Sequence, residues 1–155
     1  MIEHIVGVIS DTHGLLRPKA LEALRGASLI LHAGDLGASD ILERLRPLAP
    51  VKAVRGNIDT APWFEGLPNF EVVACGGLDL YLLHNLATLD LDPSRAGFAA
   101  VICGHSHQPE MRMERDVLYF NPGSAGPRRF SLPISLARVR VAGGELTPEL
   151  VTLAS

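Results

Sequence analysis

The chain has 155 residues, 47% hydrophobic and 20% charged, with a formal net charge of −3. That balance excludes a disordered chain, and the mildly acidic charge gives no general pull toward nucleic acid or an anionic membrane. Met1-Ile2-Glu3-His4 lacks the basic start of a signal peptide and the longest apolar runs are strand-sized, so one cytoplasmic domain over 1–155, without membrane contact, is expected.

In chain order, Ile5–Ser10 reads as a strand, and Pro18–Arg25 as a helix of good helix formers stopped by Gly26. Leu29–Leu31 is a second strand. Ser39 can cap a helix over Asp40–Arg46, whose Ile41, Leu42 and Leu45 form one apolar face ending before Pro47. Val51–Val54 completes a βαβαβ unit, which predicts a mainly parallel sheet. After Pro62 the pattern changes to hairpins. Phe70–Ala74 and Leu78–Leu83 flank Gly76-Gly77. Met111–Met113 and Val117–Phe120 flank Glu114-Arg115-Asp116, and Ser135–Val141 and Glu145–Leu150 flank Gly143-Gly144. Between them, Asp92–Ala96 can start only a short helix, and Ala99–Cys103 is a buried strand. Together these elements predict an α/β fold of two packed sheets with helices outside. Cys75 and Cys103 sit in apolar settings and read as buried, reduced thiols rather than a disulfide.

Five of the apolar runs end in metal-binding residue types. The first leads to Asp11-Thr12-His13, the second to Gly34-Asp35, the third to Gly56-Asn57, another stops at His84, and the last opens into Gly104-His105-Ser106-His107. Taken singly, Asp-x-His, Gly-Asp and Gly-Asn are ordinary turn and cap sequences, and His84 reads equally as a packed core histidine. All five endings lie at the same end of their strands, where open α/β sheets bind ligands. Two carboxylates, one amide and four imidazoles, without a thiolate, suit Mn²⁺, Fe²⁺, Zn²⁺ or Ni²⁺, whereas Ca²⁺ would ask for oxygen alone. Seven ligands exceed one tetrahedral ion, so two divalent ions sharing a carboxylate fit the count, with Mn²⁺ favoured. Such a pair, ~3.5–4 Å apart, clamps a phosphoryl group.

In sequence order these motifs resemble those of calcineurin-like metallophosphoesterases, and Asn121-Pro122-Gly123-Ser124 with the short length resembles their small bacterial and archaeal phosphodiesterase branch. The resemblance spans Ile5 to Arg128. It implies a four-layer αββα sandwich of two mixed sheets flanked by helices. It also implies that Asp11, His13 and His107 hold one ion, that Asn57, His84 and His105 hold the other, and that Asp35 bridges them. A hydroxide between the ions would then attack phosphorus in a small phosphate ester, with Asp35, Asn57 and His105 as catalytic residues. Homo-oligomers are common among small relatives.

Two departures stand out against that pattern. Many family phosphatases carry a leaving-group acid, a histidine, directly after the motif asparagine; here it is Ile58, which cannot donate a proton. General acid help is worth ~10²–10⁴-fold, so phosphodiesters with good leaving groups are favoured over unactivated monoesters. His84 is followed by Asn85 rather than the Gly-His often found in relatives, and Leu89–Phe98 is short for the expected helix, which opens the pocket rim. Asp59, read as an exposed ionised carboxylate, is expected to orient its loop. His32 is a candidate to hydrogen-bond a metal ligand, and Arg128, with Arg129, a candidate for substrate phosphate. His4 reads as structural and Asn121–Ser124 as a turn supporting the site.

Two competing functions remain at this level. A scaffold on the same fold, as in the retromer scaffold subunit, would lack competent chemistry. A serine hydrolase is suggested by Gly104-His105-Ser106-His107-Gln108, although Gln108 replaces the last glycine of the nucleophile elbow.

Overall fold

The apolar runs of the sequence become the inner strands of two five-stranded mixed sheets. The computed structural model describes residues 2–154. Met1 and Ser155, the ends of the expected 1–155 domain, lie outside the described residues. The first sheet contains β1 (Glu3–Ile9), β2 (Leu29–His32) and β3 (Val51–Ala53), mutually parallel, joined through α1 (Pro18–Leu24) and α2 (Asp40–Leu45). The second contains β4 (Phe70–Cys75), β5 (Leu78–Leu83), β6 (Ala100–Ile102), β7 (Glu110–Glu114) and β8 (Val117–Asn121), with α3 (Pro93–Ala96) between β5 and β6. Its order is β4-β5-β6-β8-β7, with β5, β6 and β8 parallel and the two outer strands antiparallel. The chain then returns to the first sheet. β9 (Ile134–Ala142) pairs antiparallel with β1, and β10 (Glu145–Ala154) forms the edge beyond it.

Strand alternation sorts side chains into layers. Val6 and Val8 of β1 face Leu80 and Leu82 of β5, with Ile102, Phe120 and Val139, in the core between the sheets. Ile9, Ile30 and Leu136 point to the other face of the first sheet, where Leu24 of α1 and Ile41 and Leu45 of α2 cover them. Tyr81, Leu83, Val101 and Cys103 line the outer face of the second sheet. There α3 is a single turn, capped by the Asp92 carboxylate and stopped at Gly97 (φ 84°). The two-sheet architecture flanked by helices is therefore present, with a thin fourth layer. No helix among the described residues is long and apolar enough to cross a membrane.

Several local expectations need correction. Ser39 precedes α2 but its hydroxyl makes no capping bond, because its backbone is already helical (φ −67°, ψ −29°). The sheets are mixed more deeply than βαβαβ implies, since β9 is inserted beside β1. The β7–β8 turn has two residues, Arg115 and Asp116, both at positive φ (50° and 63°), instead of three. β10 runs to Ala154 despite Pro148, which an edge strand tolerates. Both thiols are free, but Cys75 is only partly buried.

Candidate metal centre

β1, β2, β3, β5 and β6 all end on one side of the two sheets, and the seven candidate ligands follow directly. The chain has to turn sharply there. Asp11, His13, Asp35, His105 and His107 adopt left-handed backbone (φ 55°, 47°, 58°, 74° and 64°). Such a conformation costs a non-glycine residue ~1–3 kcal/mol and persists only where surrounding contacts enforce it. Glycines make the room. A Cβ on Gly104 would lie 2.7 Å from Asp11 Oδ2 and overlap the Ser10 hydroxyl, and one on Gly56 would overlap the Asp35 carboxylate.

Asp11 is fully buried. Its Oδ2 accepts from the Ser10 hydroxyl at 2.7 Å and from the His105 amide at 3.1 Å. Its Oδ1 is buried without a hydrogen-bond partner, 3.5 Å from His107 Nε2, 3.9 Å from His13 Nε2 and 4.0 Å from His84 Nε2. Asp35 accepts from the Ile58 amide at 3.1 Å through Oδ1. Its Oδ2 lies 3.3 Å from His84 Nε2 and 3.6 Å from His13 Nε2. His84 donates from Nδ1 to Ala33 O at 2.7 Å, so its neutral form presents the Nε2 lone pair to the carboxylates. His105 Nδ1 is 3.3 Å from His84 Nε2.

Two overlapping groups can therefore each hold an ion: Asp11, His13 and His107, and Asp11, Asp35 and His84, with the ligand atoms of each within 4.8 Å of one another. A buried carboxylate oxygen and imidazole nitrogens that converge without satisfying each other fit a cation between them. Asn57 is exposed and lines the cleft beside His84.

Charge and burial oppose each other at the site. Burial raises the Asp11 pKa, despite the Ser10 hydrogen bond and the His84 and His107 charges that favour ionisation. Burial works the same way on Asp35, but the His84 hydrogen bond, the Ile58 amide and the His84 and His13 charges outweigh it and hold the carboxyl at about 2. For His84, burial disfavours the cation, while the Asp35 hydrogen bond and the Asp11 charge prevail and raise its pKa.

Asp59 is fully buried rather than exposed. It accepts from the amides of Leu36, Gly37 and Gly56 at 3.2, 3.1 and 2.9 Å, tying the loop after β2 to the loop after β3. His32 bonds none of the seven candidate side chains. It accepts the Gly34 amide on Nδ1 at 3.1 Å and so donates from Nε2 to Thr12 Oγ1, which donates to Leu36 O. Asn121 holds the His105 loop through Gly104 O at 2.9 Å, and the Ser124 hydroxyl donates to Asp11 O at 3.0 Å. Arg128 is exposed and forms no ion pair among the described residues, whereas the Arg129 charge reaches His107 and helps burial depress its pKa. Ser10 and Thr12 were missed as supports. Their signal was present: hydroxyls continuing an apolar strand must find partners once buried. Ser106 does not resemble an activated nucleophile, because its hydroxyl oxygen accepts from the Gln108 amide and the Asn121 side chain.

The family model of the calcineurin-like phosphoesterase superfamily domain matches residues 5–144. The chain belongs to this superfamily. Among curated relatives of this calcineurin-like chain, a probable metallophosphoesterase of Methanothermobacter thermautotrophicus is 36% identical over 162 aligned positions, covering 95% of this chain and 91% of the relative. A probable metallophosphoesterase of Methanocaldococcus jannaschii is 35% identical over 133 positions, covering 77% and 67%. The fold is shared with a predicted phosphoesterase from Streptococcus pneumoniae (TM-score 0.78, 23% identity, 98% and 91% of the two chains). It is also shared with an archaeal phosphodiesterase (0.78, 22%, 95% and 99%) and with Vacuolar Protein Sorting 29 of Cryptosporidium parvum (0.78, 19%, 100% and 100%).

Proposed function

We propose that this chain is a divalent-metal-dependent phosphodiesterase in which Asp11, His13 and His107 hold one ion, Asn57, His84 and His105 the other, and Asp35 both. The observation that carries this reading is the orphaned Asp11 Oδ1, surrounded by three imidazole Nε2 atoms within 4.0 Å. Asp35 Oδ2 supports the shared role, because it reaches His13 from the first set and His84 from the second. Ions held there would supply Lewis acidity toward a phosphoryl group and a nucleophilic water at neutral pH. The protein's own contribution is positional. Ala33 O fixes the His84 tautomer, the His105 amide and Ser10 hydroxyl fix Asp11, and Asp59 fixes the loops that carry Asp35 and Asn57.

Leaving-group chemistry favours the diester. Ile58 is 45% exposed at the rim and offers only its amide, which is committed to Asp35 Oδ1. No side chain at that position donates a proton, so substrates whose leaving group departs as a stable anion are preferred. Mn²⁺ is the first ion to supply, given the oxygen and nitrogen donor set. Asp35→Ala is expected to abolish both metal uptake and hydrolysis of bis-p-nitrophenyl phosphate, measured by elemental analysis and by nitrophenolate release. Full activity in that variant would refute the site. The second reading is a scaffold on the same fold, a fold this chain shares with Vacuolar Protein Sorting 29. Bound metal without turnover, across several divalent ions, would select it.

A further inference from the structure

The metal centre opens on one side into a cleft of about 390 Å³, within the size range of small-molecule sites. His84 and Asn57, two of the candidate ligands, line it together with Phe70, Tyr81, Asn69 and Asn85. It lies over the outer face of the second sheet, where α3 is one turn long and Tyr81 and Leu83 of β5 are themselves buried. Phe70 stands opposite Leu83 in the β4–β5 ladder, which puts its ring diagonally across from Tyr81. The two rings stack at 5.5 Å and 11°. Tyr81 is 4% exposed but Phe70 is 55% exposed, so one face of the Phe70 ring is supported and the remainder is open.

The rest of the lining is polar. The Asn85 Oδ1 is taken by the Ala87 amide, which leaves its Nδ2 to donate. Asn69 and Asp90 add amide and carboxylate groups. Arg55 contributes a cation that forms no ion pair among the described residues, its Nη2 donating to Phe64 O at 2.8 Å. An exposed aromatic platform inside a hydrogen-bonding cleft, leading away from a phosphoryl-binding centre, suits a flat ring with donors and acceptors on its edge rather than an alkyl chain.

We infer that Phe70 is a specificity-determining residue, the stacking platform for a nucleobase on one ester arm of the phosphodiester. This rests on the phosphodiesterase reading for the placement of the phosphate, but it is tested by binding and not by turnover. Full-length protein loaded with Mn²⁺ is titrated calorimetrically with adenosine 5′-monophosphate and with ribose 5-phosphate, which carry the same phosphate and sugar. The base is expected to tighten binding ~10-fold, given ~1–3 kcal/mol for a stacked base. In Phe70→Ala the ratio of the two affinities falls toward one; Phe70→Leu, which keeps an apolar side chain on β4, gives the same loss, and Phe70→Trp preserves the ratio. Circular dichroism of each variant reports folding. Equal affinities in the parent protein, no detectable nucleotide binding, or a ratio that survives both Phe70→Ala and Phe70→Leu overturns the inference. A preserved base preference in a protein that hydrolyses no ester would sink the phosphodiesterase reading alone.

Discussion

Left-handed backbone at five of the seven candidate ligands is the residue-level mark of this site. Aspartate and histidine tolerate that region better than most residues, so the residue types that bind metal are also those that bear the turn. Spacing makes the candidate ligands legible in the sequence; the strain and the second carboxylate's reach to both histidine sets are not, because they depend on contacts between strands far apart in sequence. His32 shows the same limit. Its position beside Gly34-Asp35 was visible, but its burial beneath the ligand loops was not. Burial, then the His84 charge, lowers its pKa from 6.5 to about 3. The unfolded imidazole therefore takes up a proton below pH 6.5 that the folded one refuses, so the unfolded state gains protons and stability falls as pH drops from about 6.5 toward about 3. The slope attributable to this residue is up to ~1.4 kcal/mol per pH unit. Urea denaturation of metal-free protein across that window should show it, with a shallower slope in His32→Gln; identical slopes would contradict the assignment.

Elements were legible where turn chemistry is local. Gly76-Gly77 and Gly143-Gly144 have positive φ throughout, as two-residue hairpins require. The Arg115-Asp116 turn is one residue shorter than its sequence suggests, because non-glycine residues seldom adopt that conformation in pairs. The placement of β9 between β1 and β10 was not legible at all, since a hairpin's own sequence does not say which distant strand it will join. Asp59 is the clearest link between two elements. Three amides from the loops after β2 and β3 converge on its carboxylate, and hydrogen bonds to a charged group are worth ~1.5–3 kcal/mol each. Asp59→Ala is therefore expected to cost about 3 kcal/mol or more by chemical denaturation and to weaken metal binding at the same time. A variant with unchanged stability would show that these loops are held elsewhere.

For the whole molecule, two sheets packed through a common apolar core deliver parallel strand ends to one edge, and the sequence pattern makes that logic legible because each strand end carries its own candidate-ligand motif. Pairing of the sheets, and the cleft beside His84, follow from packing across the fold and are apparent only in three dimensions. Convergence of these ends on two cations is the central claim. Anomalous diffraction from crystals soaked in Mn²⁺ tests it most directly. Two peaks ~3.5–4 Å apart are expected, one against Asp11, His13 and His107, the other against Asn57, His84 and His105, with Asp35 touching both. A single peak away from Asp35, or none at saturating metal, would contradict it.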